Sequence, residues 1–361
     1  MNILIVVDDY SGGAGNMAQI IALELKNKGF KVSILLTYMY AKPRYNLNNI
    51  DIYEVNLSNI YKGYIKKIKY MIEAVKRIIE LSKAEVIISF LDNNNIITGF
   101  ANKKTKLPLI VSERSNPIEI HPKFPWNILR KKAYQYADIV GIQFDEFKYF
   151  DNGLFKEKCY ELPNIILKSQ NSKKDWNIKK VGFISLGRYN SIKRFELMIK
   201  LFSEFAKDKD NVYLDIYGSN IECDNLKKII IEKNMENKIF LHDKICNVYE
   251  ILSKHDVYLM TSKQEGFPNA LSEALAVGLP AVVFNCHSGI SKLVRNGING
   301  YCVNDDRSFI NSLNLIMESA NKRENFGFQS LKISEEYSKE RVIEIWETCI
   351  KMAIKKRQNT L

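Results

Sequence analysis

Short apolar runs recur along the whole chain, separated by stretches whose apolar residues fall at helical spacing. In the first half the runs are NILIVV (2–7), KVSILL (31–36), IDIYEV (50–55), AEVIISF (84–90), PLIVSE (108–113) and DIVGIQ (138–143), and ELPNI (161–165) ends the series. In the second half they are VGFISLG (181–187), VYLDIYG (212–218), KIFLHD (238–243), VYLMTS (257–262) and AVVF (281–284). Runs of this length, bounded by turn residues and alternating with helical patterns, predict βαβ units and parallel sheets. The first unit has a helix over residues 16–27, behind a glycine turn at Gly12, Gly13 and Gly15. The stretch 168–180, KSQNSKKDWNIKK, is polar and reads as a linker. Residues 338–356 form an amphipathic helix. The chain thus divides into a first domain over 1–167, the linker 168–180, a second domain over 181–335 and a final helical segment over 336–361.

Composition fits this division. The 361 residues are 46% hydrophobic, enough for two cores. The six cysteines stand at 159, 223, 246, 286, 302 and 349, with no C-x-x-C, and the four histidines have no metal-ligand spacing. A reducing, cytoplasmic setting is expected, without a disulfide framework or zinc site. No apolar run approaches the length of a membrane span, and NILIVV is too short for a secretory signal. The net charge of +12 favours anionic partners. The basic residues are densest in 61–81, where Lys62, Lys66, Lys67, Lys69, Lys76 and Arg77 oppose Ile65, Ile68, Met71, Ile72, Val75, Ile78 and Ile79. Such a helix either packs on its own sheet with a solvated basic face or lies on an anionic membrane. No nucleic-acid motif accompanies the charge.

The segment TSKQEGFPNALSEALAVGLPAVV carries the most specific chemistry. Pro268 suits the first position of a helix, residues 269–277 continue it, and Gly278 to Pro280 stop it. Glu265 then lies in the loop before the helix and Glu273 within it. Amides at a helix N-terminus seat phosphate, and a carboxylate on either side can accept hydroxyls from a sugar and a ribose. A sugar nucleotide fits. Asp305 and Asp306 read as a turn. The glycine turn at the N-terminus could also suggest a dinucleotide fold, but the second strand ends ILLTYMY without the carboxylate such a site needs.

This segment resembles the retaining glycosyltransferases of family 4, whose E-x7-E signature stands here as Glu265-Gly266-Phe267, five residues, then Glu273-Ala274. LGRYNSIKRFELMI (186–199) is similar to the family's G-R-x4-K element, SGISKLVRNGINGYCV (288–303) to the loop and helix after the signature, and residues 11–36 to the glycine-rich opening. The resemblance covers nearly the whole chain. It implies an α/β protein of GT-B fold, two Rossmann-like parallel-sheet domains facing a central cleft, whose last helix crosses back to the first domain. It further implies a transferase moving a sugar from a nucleotide sugar, UDP-linked rather than GDP-linked, to a glycan or polyprenyl-linked acceptor in bacterial surface-polysaccharide or glycoconjugate assembly. A nucleotide-sugar 2-epimerase shares the fold and is the alternative.

Carried over by motif, the resemblance implies catalytic roles for Glu265, Arg188 and Lys193. The two cations would face the departing diphosphate, so that no metal or other cofactor is needed. Donor binding would fall to Glu273, Gly266, Phe267, Pro268, Asn269, Ala270, Ile245, Asn247 and Gly289. The acceptor side would include Gly12, Gly13, Glu113, Arg114, Asn116 and His121, with Asp92 and Asn93 to Asn95 lining it. Two departures stand out. Arg194 takes the place of a glycine common after the family's lysine, and either alters that loop or adds a third cation. Arg114 replaces the histidine of the S-E-H-S-N pattern. It cannot serve as a base but could hold an acceptor phosphate. The lipid-linked acceptors of many such enzymes imply peripheral contact with anionic inner-leaflet lipids through 61–81.

Overall fold

The structure is a computed structural model. It describes residues 1–38, 41–55, 64–119, 122–173, 175–176, 179–218, 223–243, 245, 247–286 and 289–359, without the side chains of Tyr64, Ile65 and Cys223. The chain forms two units, one of residues Met1–Ile165 and Glu340–Leu361, the other of Ile166–Lys339.

The first unit contains β1 (Asn2–Val7), α1 (Gly12–Asn27), β2 (Lys31–Leu36), β3 (Asp51–Glu54), α2 (Tyr64–Leu81), β4 (Val86–Phe90) and α3 (Asp92–Thr105). It continues with β5 (Leu109–Ser112), α4 (Trp126–Ala133), β6 (Ile139–Ile142) and β7 (Cys159–Glu161). The strands are all parallel, in the order β3-β2-β1-β4-β5-β6-β7. β1 and β4 are buried along nearly their whole length, as strands covered on both faces must be. The order reverses between β1 and β4, so the crevice beyond their C-terminal ends is where an open α/β sheet takes a ligand.

The second unit contains β8 (Val181–Leu186), α5 (Phe195–Ala206), β9 (Val212–Tyr217), α6 (Cys223–Glu232), β10 (Ile239–His242), α7 (Val248–Ser253), β11 (Val257–Met260) and α8 (Asn269–Ala276). β12 (Ala281–Phe284), α9 (Ile290–Leu293), β13 (Gly300–Val303), α10 (Asp306–Met317) and α11 (Ala320–Glu336) follow. Its parallel sheet runs β10-β9-β8-β11-β12-β13, and its order reverses between β8 and β11. A core of Phe183, Met198, Phe202, Leu214, Leu259 and Phe309 packs α5 and α10 onto that sheet.

Several local expectations change. α1 begins at Gly12 rather than at 16, so the glycines form its first turn. Pro268 precedes α8 as its cap, with ψ 89, and the helix ends at Ala276. Asp305 is no turn residue: it caps α10, its carboxylate accepting the Ser308 N–H at 2.8 Å. The stretch 168–180 is polar in composition, yet it is anchored on the second unit. The Lys173 N–H donates to the Val277 carbonyl, Lys173 Nζ pairs with buried Asp256 at 2.8 Å, and Trp176 is 8% exposed. Trp176 packs where Gly327 lacks a side chain: a Cβ there would lie 2.7 Å from the Trp176 ring.

The last helix, α12 (Lys339–Gln358), lies with the first unit from Glu340 onward. Fully buried Trp346 stacks on Phe90 at 5.9 Å, and Arg357 pairs with Asp138 at 2.8 Å. In α2 the apolar face is buried: Met71, Val75, Ile78 and Ile79 are all inside the unit.

Candidate active site

The two loops beyond the reversal point of the second sheet carry the predicted catalytic groups. β8 ends at Leu186, and Gly187 follows. A Cβ at Gly187 would stand 3.1 Å from Lys193 Cε, so the lysine stem passes directly over this residue. Asn190 folds the loop back, its side-chain and backbone carbonyls both accepting the Lys193 N–H, a turn that asparagine favours. Glu265 arrives from the loop after β11. Lys193 Nζ lies 2.6 Å from Glu265 Oε1, with both side chains largely buried (21% and 13% exposed). Arg188 is exposed at the start of the same loop.

α8 starts four residues after Glu265. Its cap is a proline, which has no side chain to satisfy the first-turn amides, and no acidic residue stands in that turn. Such an end is electropositive and favours an anion. Glu273 is half-buried on this helix, and Gly266, Asn269 and Ala270 are half-buried around its start. Beneath the pair of glutamates lies Tyr258 of β11, 1% exposed. Burial raises its phenol pKa, and the carboxylates of Glu265 and Glu273 raise it further. Tyr258 carries no sequence signal beyond its place in an apolar run.

Some predicted donor residues serve differently. Phe267 is buried and packs edge-on against Tyr337 at 5.5 Å, so its side chain belongs to the core and only its backbone borders the loop. Arg194 is no third cation at this site. Its Nε donates to the Thr261 carbonyl at 2.6 Å, and its guanidinium lies over the Phe284 ring. Gly289 is buried at the start of the short α9. Ile245 is half-buried, and Asn247 is exposed and donates to Glu250.

Beside that loop is a feature the sequence did not announce. Asp215 of β9 binds His242 Nε2 through one oxygen and His255 Nε2 through the other, both at 2.8 Å. Burial alone would raise the Asp215 carboxyl, but the bonds to His255 and His242 outweigh it and hold the pKa low. The His242 ring also stacks on Tyr217 at 4.3 Å. Asp215 and Tyr217 alternate along β9, and His242 ends the neighbouring strand. The spacing is visible in the sequence, but the pairing of β9 with β10 is what joins them.

In the first unit the predicted acceptor residues separate into exposed and buried groups. Gly12 and Gly13 are exposed at the start of α1. Of the residues expected on the acceptor side, Glu113 and Asn116 are 1% exposed, and the Arg114 guanidinium is buried. Glu113 accepts from the Tyr134 hydroxyl and has its pKa pushed up to about 7 by burial. The Arg114 guanidinium is buried, donating to the Leu162 carbonyl and to Asn164 Oδ1 at 2.8 Å. It also lies over the rings of Phe90 and Trp346, and burial lowers its pKa to about 9. Nη1 makes both of the hydrogen bonds, while Nε and Nη2 are buried without a hydrogen-bond partner. Asn116 is buried and accepts the Ile118 N–H. Asn94 and Asn95 are buried hydrogen-bonding residues, Asn94 binding Asp8 and Asn95 binding Tyr134. His121 lies outside the described residues. Among the described residues, no three His, Cys, Asp or Glu side chains are grouped to hold a metal, and no helix is long and apolar enough to cross a membrane.

Residues 168–332 match the family described as "Glycosyl transferases group 1". A "GalNAc-alpha-(1->4)-GalNAc-alpha-(1->3)-diNAcBac-PP-undecaprenol alpha-1,4-N-acetyl-D-galactosaminyltransferase" of Campylobacter jejuni is 24% identical over 332 residues, covering 90% of each chain. An uncharacterized glycosyltransferase of Haemophilus influenzae is 30% identical over 166 residues, 45% of this chain. Those residues span 47% of the Haemophilus protein, about half its length. Among solved structures, Anabaena Alr3699/HepE in complex with UDP superposes with a TM-score of 0.79 at 16% identity, covering 96% of this chain and 99% of that one. The fold, the paired loops and these relatives agree: the chain has the GT-B fold, and residues 168–332 form a region that matches the group 1 glycosyl transferases.

Proposed function

We propose that the chain transfers a sugar from a uridine-diphosphate donor to a hydroxyl of a glycan carried on a polyprenyl lipid, with retention at the anomeric carbon and without a metal. The observation that carries this is the 2.6 Å contact of Lys193 with Glu265 beside the uncapped start of α8. A cation and a helix N-terminus together suit a diphosphate, and a carboxylate next to them suits sugar hydroxyls. As the bond from the anomeric carbon to the β-phosphate oxygen breaks, charge collects on that oxygen. Lys193 and Arg188 favour that charge more than the ground state, which lowers the barrier. The acceptor oxygen bonds to the same face, and its proton passes to the leaving phosphate. Glu265 holds the sugar and keeps Lys193 in place.

The lipid-linked acceptor rests on the Campylobacter relative, whose name specifies an undecaprenol-diphosphate substrate. Contact with anionic lipid would then be electrostatic, through Lys66, Lys69 and Arg77, which are exposed on α2. Its apolar face is already spent inside the unit. No observation favours the epimerase.

A panel of nucleotide sugars, assayed by thermal shift in EDTA, tests the donor. A ligand at 100 times its Kd stabilises by about 2.7 kcal/mol, so a UDP-sugar is expected to raise Tm by several degrees. No shift with any nucleotide sugar would refute the reading.

A further inference from the structure

Lys193 and Glu265 sit on separate loops, so something must fix one against the other. The contacts that do so come from two residues with no role in the chemistry above. Thr261 is 1% exposed and directly continues β11, four residues before Glu265. Its hydroxyl faces the carbonyls of Lys193 and Arg194, at 2.9 and 3.0 Å. Arg194 returns the contact, its Nε donating to the Thr261 carbonyl at 2.6 Å. Next to this pair the Lys263 N–H donates to the Ile192 carbonyl at 2.8 Å. The two loops are therefore joined on both sides of Lys193, by a backbone hydrogen bond at Ile192 and by side-chain-to-backbone hydrogen bonds at Arg194.

Arg194 occupies a left-handed conformation, φ 50 and ψ 45, where α5 begins. Glycine adopts this region without penalty, whereas arginine is strained in it. The strain is offset by what the side chain reaches: the Thr261 carbonyl and the Phe284 ring at 4.9 Å. A residue kept in an unfavourable conformation by its own side-chain contacts points to a positional requirement.

We propose that Thr261 and Arg194 form a clasp that positions Lys193 for the β-phosphate of the donor. Both are positioning residues, acting through the lysine. The proposal rests on the assignment of Lys193 to the diphosphate made above. The clasp serves the end of the ligand that Lys193 touches, so its loss should weaken a nucleoside diphosphate and spare the monophosphate.

The test is calorimetric binding of UDP and UMP to the full chain, beside thermal denaturation of each variant. Thr261→Val keeps the volume and branching and removes the hydroxyl. It is expected to weaken UDP about tenfold and UMP less than twofold, while Thr261→Ser binds both as the wild type does. UDP affinity unchanged in folded Thr261→Val would overturn the clasp, and so would a parallel loss of UDP and UMP. Should Thr261→Val not fold, Arg194→Gly takes its place. Glycine accepts the left-handed backbone but cannot hold Thr261, and about a threefold loss selective for UDP is expected. An unselective loss or none overturns the proposal. Lys193→Ala separates the two levels. If it leaves the preference for UDP over UMP intact, or if the wild type has no such preference, the diphosphate assignment fails and the clasp with it. If Lys193→Ala abolishes the preference and Thr261→Val does not, the clasp alone fails.

Discussion

Glu113 shows how burial at a single residue can undo a motif-based assignment. The sequence places it at the end of a strand beside other polar residues, a position that in α/β sheets lines a ligand crevice. Its side chain instead turns inward, to Tyr134 and the neighbourhood of the Arg130–Asp151 pair. The consequence is a pH dependence of stability. With its pKa raised from 4.5 to about 7, the folded chain keeps the Glu113 proton where the unfolded chain has lost it. This contribution is complete below pH 4.5 and falls away as pH rises to 7, by about 3 kcal/mol at about 1.4 kcal/mol per unit. Glu113→Gln cannot ionise and should therefore gain stability relative to the wild type between pH 5 and pH 8. Thermal melts at the two values check it. Equal differences at both pH values would show that the carboxyl titrates normally. Arg114 teaches the same lesson. Its replacement of a histidine was legible in the sequence, but its stacking on Trp346 depends on a helix more than 200 residues away.

At the scale of elements, periodicity was informative where one face is buried. The alternation of apolar runs and amphipathic stretches located the strands of both sheets except the half-buried edge strands β7 and β13, because only strands covered on both faces demand continuous apolar runs. It misplaced helix starts, which depend on caps and not on periodicity: α1 begins at its glycines, and Asp305 caps α10. In α2 the pattern was correct but allowed two uses of the apolar face, and only packing decides between them. With Met71, Val75, Ile78 and Ile79 inside the unit, the membrane contact proposed above would have to be electrostatic. Toward the end of the helix Lys76 pairs with Glu80 and Lys104 with Glu73, and Lys66 and Lys69 in its first half are exposed, as is Arg77. Each is worth about 1 kcal/mol near an anionic surface, and salt screens the attraction. Co-sedimentation with phosphatidylserine vesicles should therefore occur at low salt, vanish near 0.5 M (about a 4 Å screening length) and drop sharply in Lys66→Gln/Lys69→Gln. Pelleting that persists at high salt would require an inserted apolar element. A folded double variant that binds like the wild type would clear Lys66 and Lys69 of any role.

For the whole molecule, the sequence carried the fold and the chemistry of the second unit much further than it carried the first. Glu265, Gly266, Lys193 and Glu273 lie within short segments whose local structure follows from Pro268, Gly278 and the flanking strands, and β8 and β11 are neighbours in the sheet. The resemblance pointed to both Lys193 and Glu265, and the pairing of β8 with β11 brings them together. What holds the pair, Thr261 and Arg194, was hidden because a polar strand end and a non-glycine left-handed residue acquire meaning only once the loops are side by side. In the first unit the polar residues after the strands are spent on a buried network and on α12, a long-range arrangement that no local pattern encodes. The central claim is that Lys193 stabilises a departing nucleoside diphosphate. The most direct measurement is the rate of UDP release from UDP-N-acetylgalactosamine and related UDP-sugars, in EDTA, by the wild type and by Lys193→Ala of matched thermal stability. The account predicts metal-independent release by the wild type and a loss of about a hundredfold or more in the variant, the range seen when one charge-stabilising donor is removed. A folded Lys193→Ala that releases UDP at the wild-type rate would contradict it.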